Sequence, residues 1–350
     1  MADFFIERLN DDNAGKWEEF NNNSSEGSFY HTLKWKKIIG NIANVRTHYY
    51  LLFKNNSISG IFPFVERNIP LFKGLIPVPD PIHLNAIIRD YRDPSVIDYI
   101  IKELRLINKD RKKISFICFS TLREEVINNI KDYPMYPFSN EGNMILNLKE
   151  SPPQKIWDSF SAKKGQRKFI RRFDETGFSV TEINSHDDLK LLYKYYQENI
   201  NFIGGTLHPF SHFLDLWNNF SSGELRMTLL SKNSTVAGGL LSFSFRPQKT
   251  VYLHYLSLNR NLPGTYHPSY YLFWEAINWA WNNTYEKVSF GSQQLDENNT
   301  RYRVKHEFGA NFEPVYAKMI PLTKIFTLGC RSNPFVYSLI CNKIKQYHYI

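Results

Sequence analysis

The same order of predicted elements occurs in both halves of this chain, and it limits the possible folds more than any other feature. Each half has a helix, two apolar runs joined by a short polar turn, a further strand, a helix and a final strand. The turns are Lys54-Asn55-Asn56 in the first half and Lys232-Asn233 in the second, which is typical of β-hairpins. This order predicts an α/β (α+β) fold with mixed sheets flanked by helices. No residue-level repeat accompanies it, so the duplication is inferred from element order alone.

Periodicity and turn residues set the predicted bounds. The first half has predicted strands at 45–53, 57–66 and 113–120, a helix at 95–108, and a proline-rich extended loop or edge strand at 74–81. The second half has predicted helices at 166–175, 187–201 and 268–282, and strands at 224–231, 234–245, 249–258 and 287–291. A break at 150–153 follows a strand at 144–148. We therefore predict an N-terminal domain over 1–150, a second domain over 151–320 and a C-terminal helical tail over 321–350.

The balance of charge indicates an anionic partner. Lys and Arg number 43 against 34 Asp and Glu, a net charge of +9 over 350 residues. Such an excess favours tRNA, a phosphorylated or nucleotide-linked substrate, or an anionic membrane surface. Charge that serves solubility alone is the alternative. A hydrophobic content of 42% with 16% aromatic residues excludes an intrinsically disordered chain.

The N-terminus and the cysteines predict a cytoplasmic protein. The first eight residues mix acids with apolar residues, unlike a signal peptide, and no stretch approaches the ~18–20 apolar residues that span a bilayer. Cys118, Cys330 and Cys341 are scattered, which fits a reducing compartment rather than a disulfide framework or a zinc site. Residues 332–350 are amphipathic and fit either packing on the first domain or peripheral contact with the inner face of the membrane.

A basic helix opens the predicted second domain. Its cations recur at steps of one and four residues and cover about half of the circumference, whereas Phe169, Ile170 and Phe173 fall on the other half. The cations are Lys163, Lys164, Arg167, Lys168, Arg171 and Arg172. We expect the apolar face to dock on the core and the basic face to bind phosphates of tRNA or of a nucleotide-linked substrate. A solvated basic face is the alternative.

Several catalytic and phosphate-binding motifs are missing from the sequence. Neither G-x-G-x-x-G nor G-x-x-x-x-G-K-[ST] occurs, and residues 259–267, between a predicted strand and helix, contain one glycine. A coenzyme A pyrophosphate needs consecutive backbone N–H groups at such a place, so this loop is a poor site for it. The nucleophile motif G-x-S-x-G is also missing. Direct transfer between bound substrates is therefore expected.

Histidine spacing does not predict a metal site. His208 and His212 have the i, i+4 spacing of a zinc pair, but Pro209 follows His208 and no carboxylate completes a ligand set. We therefore expect no metal. Lys305 lies in a basic and aromatic segment with Phe308 and Gly309, where a surface lysine is its ordinary interpretation.

The chain resembles the FemAB/FemX family of peptidyl and aminoacyl transferases, within the GNAT-like N-acyltransferase superfamily. The strongest similarity runs over 268–309, through PSYYLFWEAINWAW, KVSFGS and YRVKHEFG. Residues 157–180 and, more weakly, 29–38 (FYHTLKWKKI) add to it. The resemblance implies two tandem GNAT-like acyltransferase domains with an acceptor cleft in the first. It also implies that an amino acid passes from aminoacyl-tRNA to an amine of a peptidoglycan or other cell-envelope precursor, with no further cofactor.

The resemblance assigns catalytic roles to two residues. Lys305 matches the lysine of the family's F-K-x-x-[FW]-G-like segment, with Val304 where an aromatic residue is common, and Tyr255 matches a tyrosine on the central strand of the second domain. Lys305 is expected to stabilise the oxyanion or a nearby donor phosphate. Tyr255 is expected to orient the reacting groups.

It also implies four substrate-binding residues: Trp35, Lys37, His208 and His212. Lys37 follows Trp35 by two positions and matches a basic residue associated with precursor phosphates. His208 stands where a phosphate-contacting arginine would fall. Ser120 replaces an acidic residue that some members have after the last strand pair of the first domain, so no carboxylate base is expected there.

Two other functions remain open from the sequence. The first is an acyl-CoA-dependent GNAT N-acyltransferase acting on a sugar nucleotide or a cell-surface polysaccharide precursor, against which the glycine-poor loop at 259–267 argues. The second is a non-catalytic protein that binds nucleic acid or a membrane surface through the same positive charge.

Overall fold

A computed structural model describes residues 3–41, 45–69, 72–78, 84–109, 114–129, 136–139, 141–161, 165–332 and 338–341. The chain forms two units, Met1–Gly142 together with Pro314–Ile350, and Asn143–Glu313. Each unit is built on a mixed sheet with flanking helices, as the order of elements predicts.

The first unit contains the first predicted hairpin. Its elements up to residue 139 are β1 (Phe4–Arg8), α1 (Ala14–Asn23), a short 3-10 helix (Phe29–His31), α2 (Leu33–Asn41), β2 (Arg46–Lys54), β3 (Ser57–Ile69), β4 (Phe72–Pro77), β5 (Ile87–Ile88), α3 (Pro94–Lys109), β6 (Phe116–Thr121), α4 (Glu124–Asn128) and β7 (Tyr136–Ser139). Asn55 and Asn56, with φ of 50° and 64°, form the turn between β2 and β3, because asparagine tolerates this backbone better than most residues.

The second unit contains the second hairpin. Its elements are β8 (Glu141–Asn147), α5 (Pro153–Ser159), α6 (Gln166–Glu175), β9 (Ser179–Glu182), α7 (His186–Ile203), α8 (Phe210–Asn219), β10 (Leu225–Lys232), β11 (Thr235–Phe245), β12 (Thr250–Leu258), α9 (Pro268–Asn282), β13 (Lys287–Gln294), α10 (Thr300–Glu307) and β14 (Asn311–Pro314). Asn233, with φ of 51°, forms the turn between β10 and β11. Among the described residues, the strand order is β14-β8-β13-β12-β11-β10-β9.

The end of the chain returns to the first unit, which the predicted domains did not include. β15 (Tyr316–Pro321) pairs antiparallel with β6 and β7, and α11 (Lys324–Ser332) follows it. The chain thus enters the second unit at 143 rather than 151 and leaves it at 313 rather than 320. This return was not visible in the sequence because the partner strand of β15 lies far earlier in the chain. Most of the predicted amphipathic segment 332–350 lies outside the described residues.

The position of β4 corrects one prediction. Within the described residues the first sheet has the order β1-β2-β3-β4-β6-β15-β7, with β5 beside β3, so β4 is internal rather than an edge strand. Gly74 and Leu75 pair with β6, and both precede Pro77, the last residue of β4. The residues of β4 that pair with β6 therefore both have a backbone N–H, and Pro77 does not interrupt this pairing.

The central strands of the second sheet open at one end. β12 and β13 are parallel neighbours, but their pairing ends at Tyr252 and Ser289 although both strands continue. β12 also has a bulge at His254, since Leu253 pairs with Ser242 and Tyr255 pairs with Leu241. Bulges of this kind redirect side chains and are common beside functional sites. The opening of the strands makes room for side chains from both of them.

Close packing of α7 covers the opened sheet. A Cβ atom at Gly239 in β11 would lie 2.4 Å from a methyl group of Leu192 and 2.3 Å from the carbonyl oxygen of Thr228. Glycine at this position therefore lets α7 approach the sheet. In the described part of the chain, no helix combines the length and the hydropathy that crossing a bilayer requires.

Candidate active site

A cavity of about 580 Å³ lies in the second unit where β12 and β13 separate. Its wall is formed by the outer half of β12, Leu240 of β11, Phe290 of β13, the last two turns of α7, the first half of α9 and one face of α10. Lys305 and Tyr255, the two predicted catalytic residues, both line it. The fold therefore brings together two residues that are 50 positions apart in the sequence.

Lys305 is held at the cavity by α10. The helix begins after Asn299, whose side chain accepts a hydrogen bond from the backbone N–H of Arg301. Lys305 Nζ donates to the carbonyl oxygen of Ser292 at 3.2 Å. Burial, with a smaller contribution from the positive charge of Arg301, lowers the pKa of Lys305 from 10.5 to about 7. Near neutral pH this amine is present in both protonation states, so it can act as a cation or accept a proton.

Tyr255 presents its phenol to the same cavity. Its hydroxyl lies 3.2 Å from Nε2 of His212, and burial raises the pKa of Tyr255 well above 10. The phenol therefore stays protonated over the physiological range. It can donate or accept a hydrogen bond but does not act as a base from a phenolate form.

Three histidines surround Tyr255 as neutral groups. The rings of His208 and His212 stack at 4.6 Å, and the ring of His254 lies 4.1 Å from that of Tyr255. Burial lowers the pKa of His208 to about 4 and that of His212 to about 3. Neutral imidazoles at pH 7 carry no positive charge, so His208 does not supply the charge that the resemblance implies for an arginine at this position. His208 and His212 contact Tyr255 and are not among the residues that line the cavity.

These histidines do not form a metal centre. Within the described residues, no group of three or more His, Cys, Asp and Glu side chains is arranged to hold a metal ion. α7 instead fixes the segment that carries His208, because Tyr193 donates to the His208 carbonyl oxygen at 2.9 Å and the His208 N–H donates to the Tyr196 hydroxyl at 3.2 Å.

Two arginines that sequence analysis did not identify also line the cavity, Arg260 and Arg301. Both are exposed, and Arg260 donates to the side-chain oxygen of Asn199 and lies 4.2 Å from the ring centre of Phe202. Among the described lining residues, none is Asp or Glu. Isolated arginines in loops and helix starts have no sequence signal of their own. Only the fold reveals that they are beside Lys305.

Part of the backbone of the loop at 259–267 is hydrogen-bonded within the chain. The N–H groups of Asn259, Asn261 and Tyr266 donate to Ala237, to the side chain of Asn259 and to Pro263. Pro263 has no N–H to offer. The engaged N–H groups and Pro263 interrupt the loop, so the longest succession of N–H groups left for a pyrophosphate is Gly264 and Thr265.

The basic face of α6 is only partly exposed. Arg167 donates to the carbonyl oxygens of Trp157 and Asp158, each at 3.0 Å, and Arg172 donates to that of Thr265 at 3.1 Å. Lys168 and Arg171 are exposed. The apolar face docks as predicted, with Ile170 and Phe173 buried. Lys163 and Lys164 lie outside the described residues. Phosphate binding by this helix stays a prediction.

The remaining predicted substrate-binding residues, Trp35 and Lys37, lie in the first unit on α2. Trp35 is 2% exposed and packs against Tyr30 at 5.2 Å and Phe29 at 5.9 Å. Its indole is therefore part of the core. Lys37 is exposed. Ser120 stands where some members of the resembled family have an acidic residue. Its backbone N–H donates to the side-chain oxygen of Asn85 at 2.8 Å.

Comparisons with known proteins identify the fold. Residues 161–303 match the family model described as Acetyltransferase (GNAT) domain, and Lys305 follows the matched segment by two positions. A crystal structure of FemX is similar with a TM-score of 0.71 and 11% identity, over 93% of this chain and 99% of that one. No curated protein sequence matches the chain.

Two further solved structures share the fold. A tandem GNAT protein from the clavulanic acid biosynthesis pathway has a TM-score of 0.57 and 9% identity, over 92% of this chain and 99% of that one. L-PGS from Bacillus licheniformis has a TM-score of 0.53 and 15% identity, over 81% of this chain and 85% of that one. The predicted FemX-like, tandem GNAT fold is confirmed, and residues 161–303 form a GNAT acyltransferase domain.

Proposed function

We propose that this GNAT-type acyltransferase moves an amino acid from an aminoacyl-tRNA to an amine of a peptidoglycan or other cell-envelope precursor. The observation that carries the proposal is the presence of Lys305 and Tyr255 in one cavity of a chain with the FemX fold. A lysine with a pKa of about 7 and a phenol that stays protonated suit transfer between two bound substrates.

The proposed reaction is aminolysis of an ester. The neutral amine attacks the ester carbonyl, the carbon–oxygen bond to the ribose breaks, and the departing ribose oxygen receives the proton that the nitrogen loses. The ammonium form of Lys305 stabilises the negative charge on the carbonyl oxygen in the tetrahedral intermediate. Tyr255, held by His212, orients the reacting groups through its hydroxyl. Correct positioning of the two substrates supplies roughly 7–11 kcal/mol of the barrier reduction.

Two features favour tRNA as the donor. The loop at 259–267 has one glycine, and its N–H groups are interrupted by Pro263 and by three that are bonded within the chain, which disfavours a coenzyme A pyrophosphate. Lys168 and Arg171 leave exposed positive charge on α6 that suits an RNA backbone. The proposed donor places the reaction in the cytoplasm, and contact of residues 332–350 with the inner face of the membrane is part of the same proposal.

The second candidate is an acyl-CoA-dependent N-acyltransferase acting on a sugar nucleotide or polysaccharide precursor. It is favoured by the acetyltransferase description of the matching family model, which covers residues 161–303. In this alternative the same cavity receives the acyl group of the thioester, and Lys305 again stabilises the negative charge on the carbonyl oxygen.

A donor competition separates the two candidates. Purified protein is given charged tRNA and acyl-CoA together with amine-bearing envelope precursors, and the loss of each donor is followed with and without acceptor. We expect acceptor-dependent deacylation of tRNA, lost in Lys305→Ala and retained in Lys232→Ala, which changes an exposed lysine outside the cavity. Acceptor-dependent release of free coenzyme A, with tRNA untouched, would overturn the proposal in favour of the second candidate.

A further inference from the structure

Every element of the cavity wall supplies apolar side chains, beside polar ones such as Asn199 and Ser269. Ile200 and Ile203 come from α7, Leu240 from β11, Leu253 from β12, Phe273 from α9, Phe290 from β13 and Val304 from α10. At about 580 Å³ it is in the size range of pockets that enclose whole small-molecule ligands, roughly 300–1,000 Å³. An acetyl or glycyl group would leave most of this apolar wall without a contact.

The two arginines of the cavity wall lie on its exposed part. Arg260 and Arg301 are exposed, Lys305 is half-buried, and Leu253 is buried. The two arginines therefore lie on the exposed part of the wall, whereas most of its buried side chains are apolar, and Lys305 is intermediate in burial. This arrangement suits a donor whose phosphate lies at the arginines, whose reactive ester lies at Lys305 and whose apolar acyl group lies against the buried wall.

The three positive charges have no acid beside them in the cavity. The charge of Arg301 disfavours the protonated forms of both Arg260 and Lys305, whose pKa values are lowered, mainly by burial and also by this repulsion. None of the described lining residues is Asp or Glu. A bound phosphate would offset the repulsion, and two arginines that can each donate more than one hydrogen bond suit that role.

We propose, on the basis of the function proposed above, that the cavity selects a donor whose transferred group is bulky and apolar and whose carrier is phosphorylated, with Arg260 and Arg301 binding the carrier's phosphate. For a tRNA carrier, the transferred residue is a large apolar amino acid such as leucine or phenylalanine. For a coenzyme A carrier, it is a medium-length aliphatic acyl group. Each additional buried methylene contributes about 0.8 kcal/mol to donor binding.

The first test varies the transferred group on both carriers. The kcat/KM for transfer is measured with tRNA carrying leucine, phenylalanine, alanine or glycine, and with octanoyl- and acetyl-coenzyme A. We expect the large apolar group to be favoured by about tenfold or more on whichever carrier is used. Equal or better use of glycine, alanine or acetyl would overturn the inference.

The two proposals fail in different ways. If coenzyme A is the only carrier consumed but octanoyl is favoured over acetyl, the proposed tRNA-dependent function is wrong and the size selection stands. If charged tRNA is consumed but glycine is favoured, the proposed function stands and the size selection is wrong.

Filling the cavity tests the same claim from the protein side. Val304→Phe and Ile200→Phe each add volume to the wall, so we expect each to shift the preference toward small groups by about tenfold. Leu191→Phe is the control, because Leu191 lies on α7 but is 37% exposed and outside the cavity. Thermal melting shows whether each variant is folded. An unchanged preference in a folded variant would contradict the inference.

Charge removal tests the phosphate role. Arg260→Gln and Arg301→Gln should each raise the KM for the donor about tenfold or more, leave the KM for the acceptor unchanged and flatten the dependence on salt. Arg303→Gln is the control, since Arg303 is exposed on α10 but does not line the cavity. A donor KM equal to that of the control would remove both arginines from the site.

Discussion

Nε2 of His212 lies 3.2 Å from the hydroxyl oxygen of Tyr255, and the two side chains share one hydrogen bond. Tyr255 lines the cavity of the second unit, whereas His212 stands behind it on α8. The histidine therefore fixes the direction of a phenol that faces the substrate, and its effect on transfer should act through that phenol.

A double-mutant cycle tests this coupling. We expect Tyr255→Phe and His212→Phe each to lower the transfer rate by about tenfold, because each removes the hydrogen bond that orients the reacting groups. The double variant should be no slower than Tyr255→Phe alone. Additive losses, with all variants folded by circular dichroism, would show that His212 acts independently of Tyr255.

The buried histidines predict loss of stability in acid. His208 and His212 have pKa values of about 4 and 3 in the folded chain against an ordinary value of 6.5, so the unfolded chain binds more protons in between. Their contribution is fully present above pH 6.5 and is lost as pH falls through that window. The slope from each residue is at most about 1.4 kcal/mol per pH unit. Urea unfolding of wild type and of His212→Gln is measured between pH 7 and 4. The free energy of unfolding should decline less in the variant than in wild type. Equal declines would contradict the role of the buried histidines.

Trp35 and Lys37 should respond differently to truncation, although they are two positions apart. Trp35→Ala opens a cavity in a buried aromatic cluster and should cost roughly 3–5 kcal/mol of unfolding free energy. Lys37→Ala changes an exposed residue and should alter stability by less than about 0.5 kcal/mol. If Lys37 binds acceptor phosphates, its variant alone should raise the acceptor KM in a folded protein. An unchanged acceptor KM would remove Lys37 from the predicted site.

The exposed cations of α6 should dominate any tRNA contact by that helix. Lys168→Glu and Arg171→Glu should weaken tRNA binding and reduce the slope of affinity against salt by about one unit for each lost phosphate contact. Arg167 and Arg172 donate hydrogen bonds to backbone carbonyl oxygens, so their substitution should lower stability as well. Filter binding over a salt series provides the measurement. Affinity that is indifferent to salt would identify the face as solvated surface.

Local patterns predicted the elements of the fold well. The hairpin at Asn55-Asn56 and the helix at 268–282 form as expected, since turn residues and helical periodicity act over a few neighbours. The return of β15 to β6 was not predicted, because strand pairing across the chain leaves no local signal. The internal position of β4 was missed for a related reason. The prolines that indicated an edge begin at Pro77, after the residues that pair with β6.

The sequence predicted residues of the candidate site only within the segments that resemble the FemAB/FemX family. Lys305 and Tyr255 were named from matched segments, and the cavity contains both. Trp35 belongs to the core instead, because an aromatic residue beside a lysine has the same pattern whether it binds a ligand or packs inside. Arg260 and Arg301 were missed because their significance depends on the opening between β12 and β13.

The pH dependence of kcat/KM in wild type and Lys305→Arg tests the central claim, that transfer uses the positive charge of Lys305, most directly. Since the pKa of Lys305 is lowered to about 7, the wild-type value should fall as pH rises above 7 and the amine loses its proton. Lys305→Arg keeps its charge, so we expect its decline to begin well above pH 7, while the rising limb set by the acceptor amine stays in place. Identical profiles for the two proteins would contradict the proposed role of Lys305.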